Sequence, residues 1–153
     1  MEKFILTQEL GRLVRWLRIL GFDTEYFTAK NLSSLVISAL REDRIILTRN
    51  LHITPAPGIK LFKVKEDIVT DQLKQIIREL DLKLNQESLF SRCIICNTGL
   101  KPIAKKEAEG KVPEYVFKTQ EEFSWCPTCD KIYWSGTHWG NVKDTLKEIG
   151  ALN

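Results

Sequence analysis

Two cysteine pairs carry the clearest chemistry in this chain: Cys93-Ile94-Ile95-Cys96 and, about thirty residues later, Cys126-Pro127-Thr128-Cys129. They account for all 4 cysteines. A C-x-x-C turn aims two sulfurs at one centre, and two such turns supply the four thiolates of a tetrahedral Zn²⁺ site. A shell of four thiolates leaves no open position for substrate, so this chemistry is structural. The other readings are two disulfides or four buried thiols. The paired spacing matches a zinc ribbon better than a secreted staple framework.

A second candidate is cationic. Arg12, Arg15 and Arg18 recur three residues apart beside Trp16, and Arg49 follows an apolar run. Guanidinium groups next to an indole suit phosphates and stacked bases; an ordinary solvated face is the plainer alternative. Tyr133-Trp134-Ser135-Gly136-Thr137-His138-Trp139 brings aromatic rings together around a Ser-Gly turn. It reads either as a base-stacking platform or as the small core a zinc module needs. His138 is a poor zinc ligand because four cysteines already fill the shell. His52 and His138 neighbour no Ser or Cys nucleophile in sequence, so triad chemistry is unsupported. There is no Walker-type or G-x-G-x-x-G phosphate loop.

The elements that must position these groups follow from periodicity. Phe4-Ile5-Leu6 reads as a buried strand. Leu10, Leu13, Val14 and Leu17 give the next stretch a helical apolar face, with Gly21 as its stop. Phe22 to Phe27 is a second strand, and Asn31 caps a helix running to about Arg41. Arg44 to Thr48 and Ile59 to Val64 are two further strands. Asp67 to about Leu82 is a helix with Ile68, Leu73, Ile76, Ile77 and Leu80 turned inward. Strands alternating with helices imply an α/β fold, a Rossmann-like parallel sheet with flanking helices. Ligands in such sheets bind beyond the carboxyl ends of the strands. Here those ends are Thr7-Gln8-Glu9, Phe27-Thr28 and Thr48-Arg49-Asn50, with Asp23 expected within reach. Lys101 to Lys111 is charged and expected to be exposed. Phe123-Ser124-Trp125 and Lys131 to Trp134 form a hairpin, and a helix from about Trp139 to Ile149 closes the chain.

Composition sets the bounds. In 153 residues, 43% hydrophobic and 28% charged, there is room for one modest domain and a small metal-stapled one. The division expected is an α/β domain over 1–84, a linker over 85–91 and a ribbon with its C-terminal helix over 92–153. The net charge of +3 is too small to argue for nucleic acid by itself. Its distribution says more, because residues 1–84 hold 14 basic and 11 acidic side chains and the remainder balances. The N-terminal stretch lacks a signal-peptide core, and no run approaches the ~18 apolar residues of a membrane span. A cytoplasmic protein with reduced cysteines and no membrane partner is expected.

Taken together, Lys3-Phe4-Ile5-Leu6, the stretch from Leu10 to Thr24, Ile46-Leu47-Thr48-Arg49, Leu89-Phe90-Ser91-Arg92-Cys93 and the run from Tyr133 to Trp139 resemble the Mut-seven C-terminal ribonuclease domain family. The resemblance covers nearly the whole chain. It implies a PIN-like nuclease fold followed by a zinc ribbon, and a site in which acids ending the first strand, in the second strand and after the third hold Mg²⁺ or Mn²⁺ for phosphodiester hydrolysis. At those positions this chain has Thr7, Asp23 and Asn50. Mg²⁺ favours anionic oxygen ligands and dehydrates reluctantly, so the loss of two carboxylates points to weakened metal binding and lost turnover. Asp23 and Glu25 share one strand face, and a site rebuilt from Glu9, Asp23 and Glu25 is the route by which activity would survive.

The leading expectation is therefore an RNA-binding protein on a decayed nuclease site. Arg12, Arg15, Arg18 and Arg49 would hold phosphates, and Lys131, Trp134, His138 and Trp139 would extend the surface. An active metal-dependent ribonuclease and a zinc-ribbon adaptor on a larger assembly such as a ribosome are the alternatives. RNA rather than DNA is implied by the resemblance alone.

Overall fold

The computed structural model describes residues 1–134 and 139–152, with the side chains of Trp139 and Gly140 left out. Four short strands, β1 (Lys3–Leu6), β2 (Asp23–Tyr26), β3 (Ile45–Thr48) and β4 (Leu61–Lys63), form one parallel sheet in the order β2-β1-β3-β4. The connections carry α1 (Gly11–Ile19), α2 (Leu32–Glu42) and, after β4, α3 (Val69–Glu79). Asn31 caps α2 as expected, its Oδ1 accepting from the Ser33 N–H at 2.9 Å.

Alternation along the strands splits the core into two layers. Phe4, Leu6 and Leu47 pack against Leu13 and Leu17 of α1 and Leu73 and Ile76 of α3. Ile5 and Ile46 face the other way, onto Leu35 and Ala39 of α2 and Ile53. Ile68, expected inside, is exposed, because α3 begins one residue later and leaves it on the approach.

The ribbon is a separate antiparallel sheet, β5 (Lys101–Ile103), β6 (Phe123–Trp125) and β7 (Ile132–Tyr133), with short helices α4 (Lys105–Ala108) and α5 (Glu114–Thr119) between β5 and β6. The segment Lys101 to Lys111 is not a solvated loop throughout. Ala108 is buried with Val116 and Phe123, and Ile103 and Trp134 pack against them. A module this small needs such a core.

Two boundaries drawn from the sequence shift. The last helix, α6 (Trp139–Glu148), returns to the α/β layer: Leu146 is fully buried there with Ile149 and Ala151. Each of the two large side chains contributes about 1.5–3 kcal/mol by leaving water. Residues 85–91, expected as the linker, form a 3₁₀ turn at Gln86–Ser88. They also bond to α1, the Phe90 N–H donating to the Ile19 carbonyl at 2.8 Å.

That seam requires Gly21. Its φ is +93°, and a Cβ there would lie 2.4 Å from the Ser88 carbonyl oxygen. Gly21→Ala is expected to cost more than about 1 kcal/mol, through both the left-handed backbone and the clash. A lowered urea midpoint at unchanged m-value is the measurement that checks it.

Candidate functional site

The carboxyl ends of β1 and β3 meet in a compact hydrogen-bonded network. Thr7 Oγ1 donates to Glu9 Oε1 at 2.6 Å, and Thr7 and Thr48 hydroxyls stand 2.8 Å apart. The same Glu9 oxygen accepts from the Arg49 N–H at 2.9 Å and lies 3.2 Å from Thr48 Oγ1. Burial raises the proton affinity of Glu9, but the donors from Thr7, Arg49 and Thr48 outweigh it and hold the carboxyl below its ordinary range. Asn50 donates its N–H to Thr48 Oγ1 at 3.0 Å and accepts from the His52 N–H at its Oδ1. Thr7 and Asn50 thus occupy the strand tips as hydrogen-bonding neutral groups.

Asp23 is not with them. In the parallel register Asp23 is opposite Lys3, four residues before Thr7. At about 3.3 Å per residue the two lie about 13 Å apart along the strand direction. Asp23 instead meets Arg44 Nη1 at 2.8 Å and accepts from Asn97 Nδ2 at 2.7 Å. The expected trio Thr7, Asp23 and Asn50 does not converge, because β2 starts at Asp23 and runs away from it. In a site rebuilt from Glu9, Asp23 and Glu25, Asp23 is held at the amino end of β2, and Glu25, opposite Ile5, lies 4.0 Å from Arg44.

The arginines also separate. Arg12 and Arg15 are exposed on α1, as the sequence suggests. Arg18 is buried, and its expected role as a phosphate ligand is corrected: Nε donates to the Thr24 carbonyl at 2.9 Å, and Nη1 to the carbonyls of Ile94 and Ile95 at 3.0 and 3.1 Å. A step of three residues leaves each side chain about 60° further round the helix, so by Arg18 the row has turned from solvent to the ribbon. Trp16 packs against the main core rather than presenting a free face. Arg49 is ion-paired with exposed Asp67 at 2.5 Å. Lys131 is exposed, whereas Trp134 packs on the ribbon's own core. His138 lies outside the described residues, as does the side chain of Trp139.

The four cysteines come together. Their sulfurs lie within 4.8 Å of one another, with Cys96–Cys126 at 3.4 Å and Cys93–Cys129 at 3.9 Å. A tetrahedral ion with bonds of about 2.3 Å spaces its sulfurs about 3.8 Å apart, so the set fits a metal ion. Burial pushes the Cys96 thiol up, yet contacts from the Thr98 hydroxyl and N–H hold it at about 6; Cys129, beside the Cys96 sulfur, is pushed up to about 12. Sulfurs this close cannot all ionise unaided, and a cation removes that conflict.

A family model described as the Mut7-C RNAse domain matches residues 2–146. The chain belongs to the Mut7-C RNAse domain family. Neither a curated protein nor a solved structure matches it. For this Mut7-C domain the sequence left Asn97, Arg44 and Lys63 unnoticed. Asn97 Oδ1 accepts from the Thr24 N–H at 2.9 Å, which locks the first cysteine turn to β2. Its only sequence signal is its place directly after Cys96. Strand order, not sequence, brings Lys63 beside Thr48.

The Asp23 contact is testable through pH. Burial raises its proton affinity, but hydrogen bonds from Arg44 and Asn97 hold the carboxyl below its usual value. A depressed carboxyl contributes stability above its unfolded value of about 3.9 and loses it as pH falls through the lower folded value. Asp23→Asn is expected to cost about 1–2 kcal/mol at pH 7, allowing for partial exposure. The gap between variant and parent should close below pH 4, read from melting temperatures across pH 3–7.

Proposed function

We propose that this Mut7-C domain is an RNA-binding protein, on a PIN-like sheet, that grips RNA without efficient cleavage. The observation that carries the reading is the presence of Thr7 and Asn50 at the strand tips where the family resemblance implies carboxylates, with Asp23 about 13 Å away along the strand direction. Glu9 remains, and one of its oxygens already takes donors from Thr7 and Arg49. Among the described residues the four cysteines form the one cluster of three or more His, Cys, Asp or Glu able to hold a metal. Divalent-metal hydrolysis needs several anionic oxygens in one place.

Arg12 and Arg15, exposed on the helix that starts beside these tips, supply the cationic surface. Arg49 joins them, since an exposed pair such as Arg49–Asp67 is weak enough to exchange for a phosphate. Lys131, His138 and Trp139 extend the surface onto the ribbon, whose four cysteines hold zinc. The protein works in the cytoplasm; among the described residues no helix is long and apolar enough to cross a membrane.

The reading is open to direct measurement. Arg12→Glu with Arg15→Glu should weaken binding of a single-stranded RNA roughly tenfold or more in moderate salt, read by fluorescence anisotropy; unchanged affinity would count against the reading. RNA incubated with Mg²⁺ or Mn²⁺ should stay intact. Cleavage that disappears on Glu9→Gln would establish the ribonuclease instead, and Thr7→Asp with Asn50→Asp is the informative gain-of-metal control. A chain captured by ribosomal protein independently of RNA would favour an adaptor. Elemental analysis should find one zinc per chain, and its removal by a chelator should speed amide exchange at Thr24, whose N–H is held by Asn97.

A further inference from the structure

Lys63 ends β4 and stands in register with Thr48. Its side chain is half-buried, and its ammonium donates to the carbonyls of Asn50 at 2.5 Å and Ile53 at 2.6 Å. An ammonium carries three donors, so one is left over. No Asp or Glu among the described residues lies within 4.0 Å of it. A partly desolvated cation satisfied only by neutral carbonyls lacks the counter-charge that such groups usually have. Glu9 does not supply it, being engaged on the β1 side of Thr48 by Thr7 and the Arg49 N–H.

Asn50 adds to the same polarity. Its Oδ1 accepts from the His52 N–H at 2.9 Å, which fixes the amide and leaves Nδ2 as its remaining side-chain donor. The turn over residues 50–53 is held closed by Ile53 N–H to Asn50 O at 3.4 Å and by the lysine across both carbonyls. A tip that would take a cation through carboxylates therefore offers surplus donors and a positive charge.

We propose that the β3–β4 tips form an anion site of inverted polarity, in which Lys63 Nζ and Asn50 Nδ2 bind a phosphate group. Arg49 borders the site and can leave Asp67 for the same ligand. The inference deepens the reading above and rests on it only for RNA as the carrier of the phosphate.

The zinc-loaded chain, labelled with ¹⁵N, is titrated with inorganic pyrophosphate and separately with Mg²⁺. Pyrophosphate should shift the amides of residues 49–53 saturably, and Mg²⁺ should leave them in place. Lys63→Gln should weaken that pyrophosphate binding at least tenfold, whereas Lys63→Arg should retain it. With single-stranded RNA, Lys63→Gln should reduce the slope of log K against log salt by about 0.7, the loss of one phosphate contact. Amides 49–53 unmoved by pyrophosphate in the parent chain, or moved by Mg²⁺ in its place, would overturn the site; this arm needs no variant to fold. Pyrophosphate bound at 49–53 by a chain that fails to bind RNA would leave the anion site standing and remove the RNA reading. RNA bound with an unchanged salt slope in folded Lys63→Gln would do the reverse.

Discussion

The arrangement of this molecule depends on the contact between the first cysteine turn and the amino end of the sheet. Arg18 caps the carbonyls of Ile94 and Ile95, and Asn97 bridges the Thr24 N–H and the Asp23 carboxylate. Arg44, itself buried, holds that carboxylate and the Phe4 carbonyl. Two charged side chains out of water are costly unless nearly every donor is met; here the turn's backbone meets Arg18, and Asp23, Glu42 and the Phe4 carbonyl meet Arg44. The first cysteine turn is thereby joined to β2 by hydrogen bonds.

This contact also explains why Asp23 is occupied. At the amino end of β2 it balances Arg44, close to Asn97, and contributes nothing to the opposite end. The carboxyl ends of the strands are left to Thr7, Thr48, Asn50, Lys63 and Glu9. One oxygen of the Glu9 carboxylate takes the donors on the β1 side, and Lys63 brings a positive charge on the β4 side. On the proposed reading, the β3–β4 side of these tips takes an anion in preference to a hydrated divalent cation.

The ribbon contributes in two ways. Its own small core, around Ala108, Val116 and Phe123, uses Trp134 as packing and so takes one ring out of any recognition surface. Its position against α1 fixes which arginines remain in solvent. Arg12 and Arg15 stay outside, while Arg18 is consumed by the junction.

Much of this was legible in the residue order. Short apolar runs and a period-3.6 pattern placed the strands and helices of the first half, and cysteine spacing identified the cluster that could hold a metal, because these signals are local to the chain. The substitution of Thr7 and Asn50 was equally plain. Tertiary structure alone decided which end of a strand each group occupies, since a four-residue strand carries Asp23 and the tips about 13 Å apart with no mark in the sequence. It also decided that Arg18 turns inward, that α6 returns to the first core, and that Lys63 lies beside Thr48. Each of these is set by strand order or by the packing of distant segments, and such long-range pairing leaves no periodic trace in the local chain.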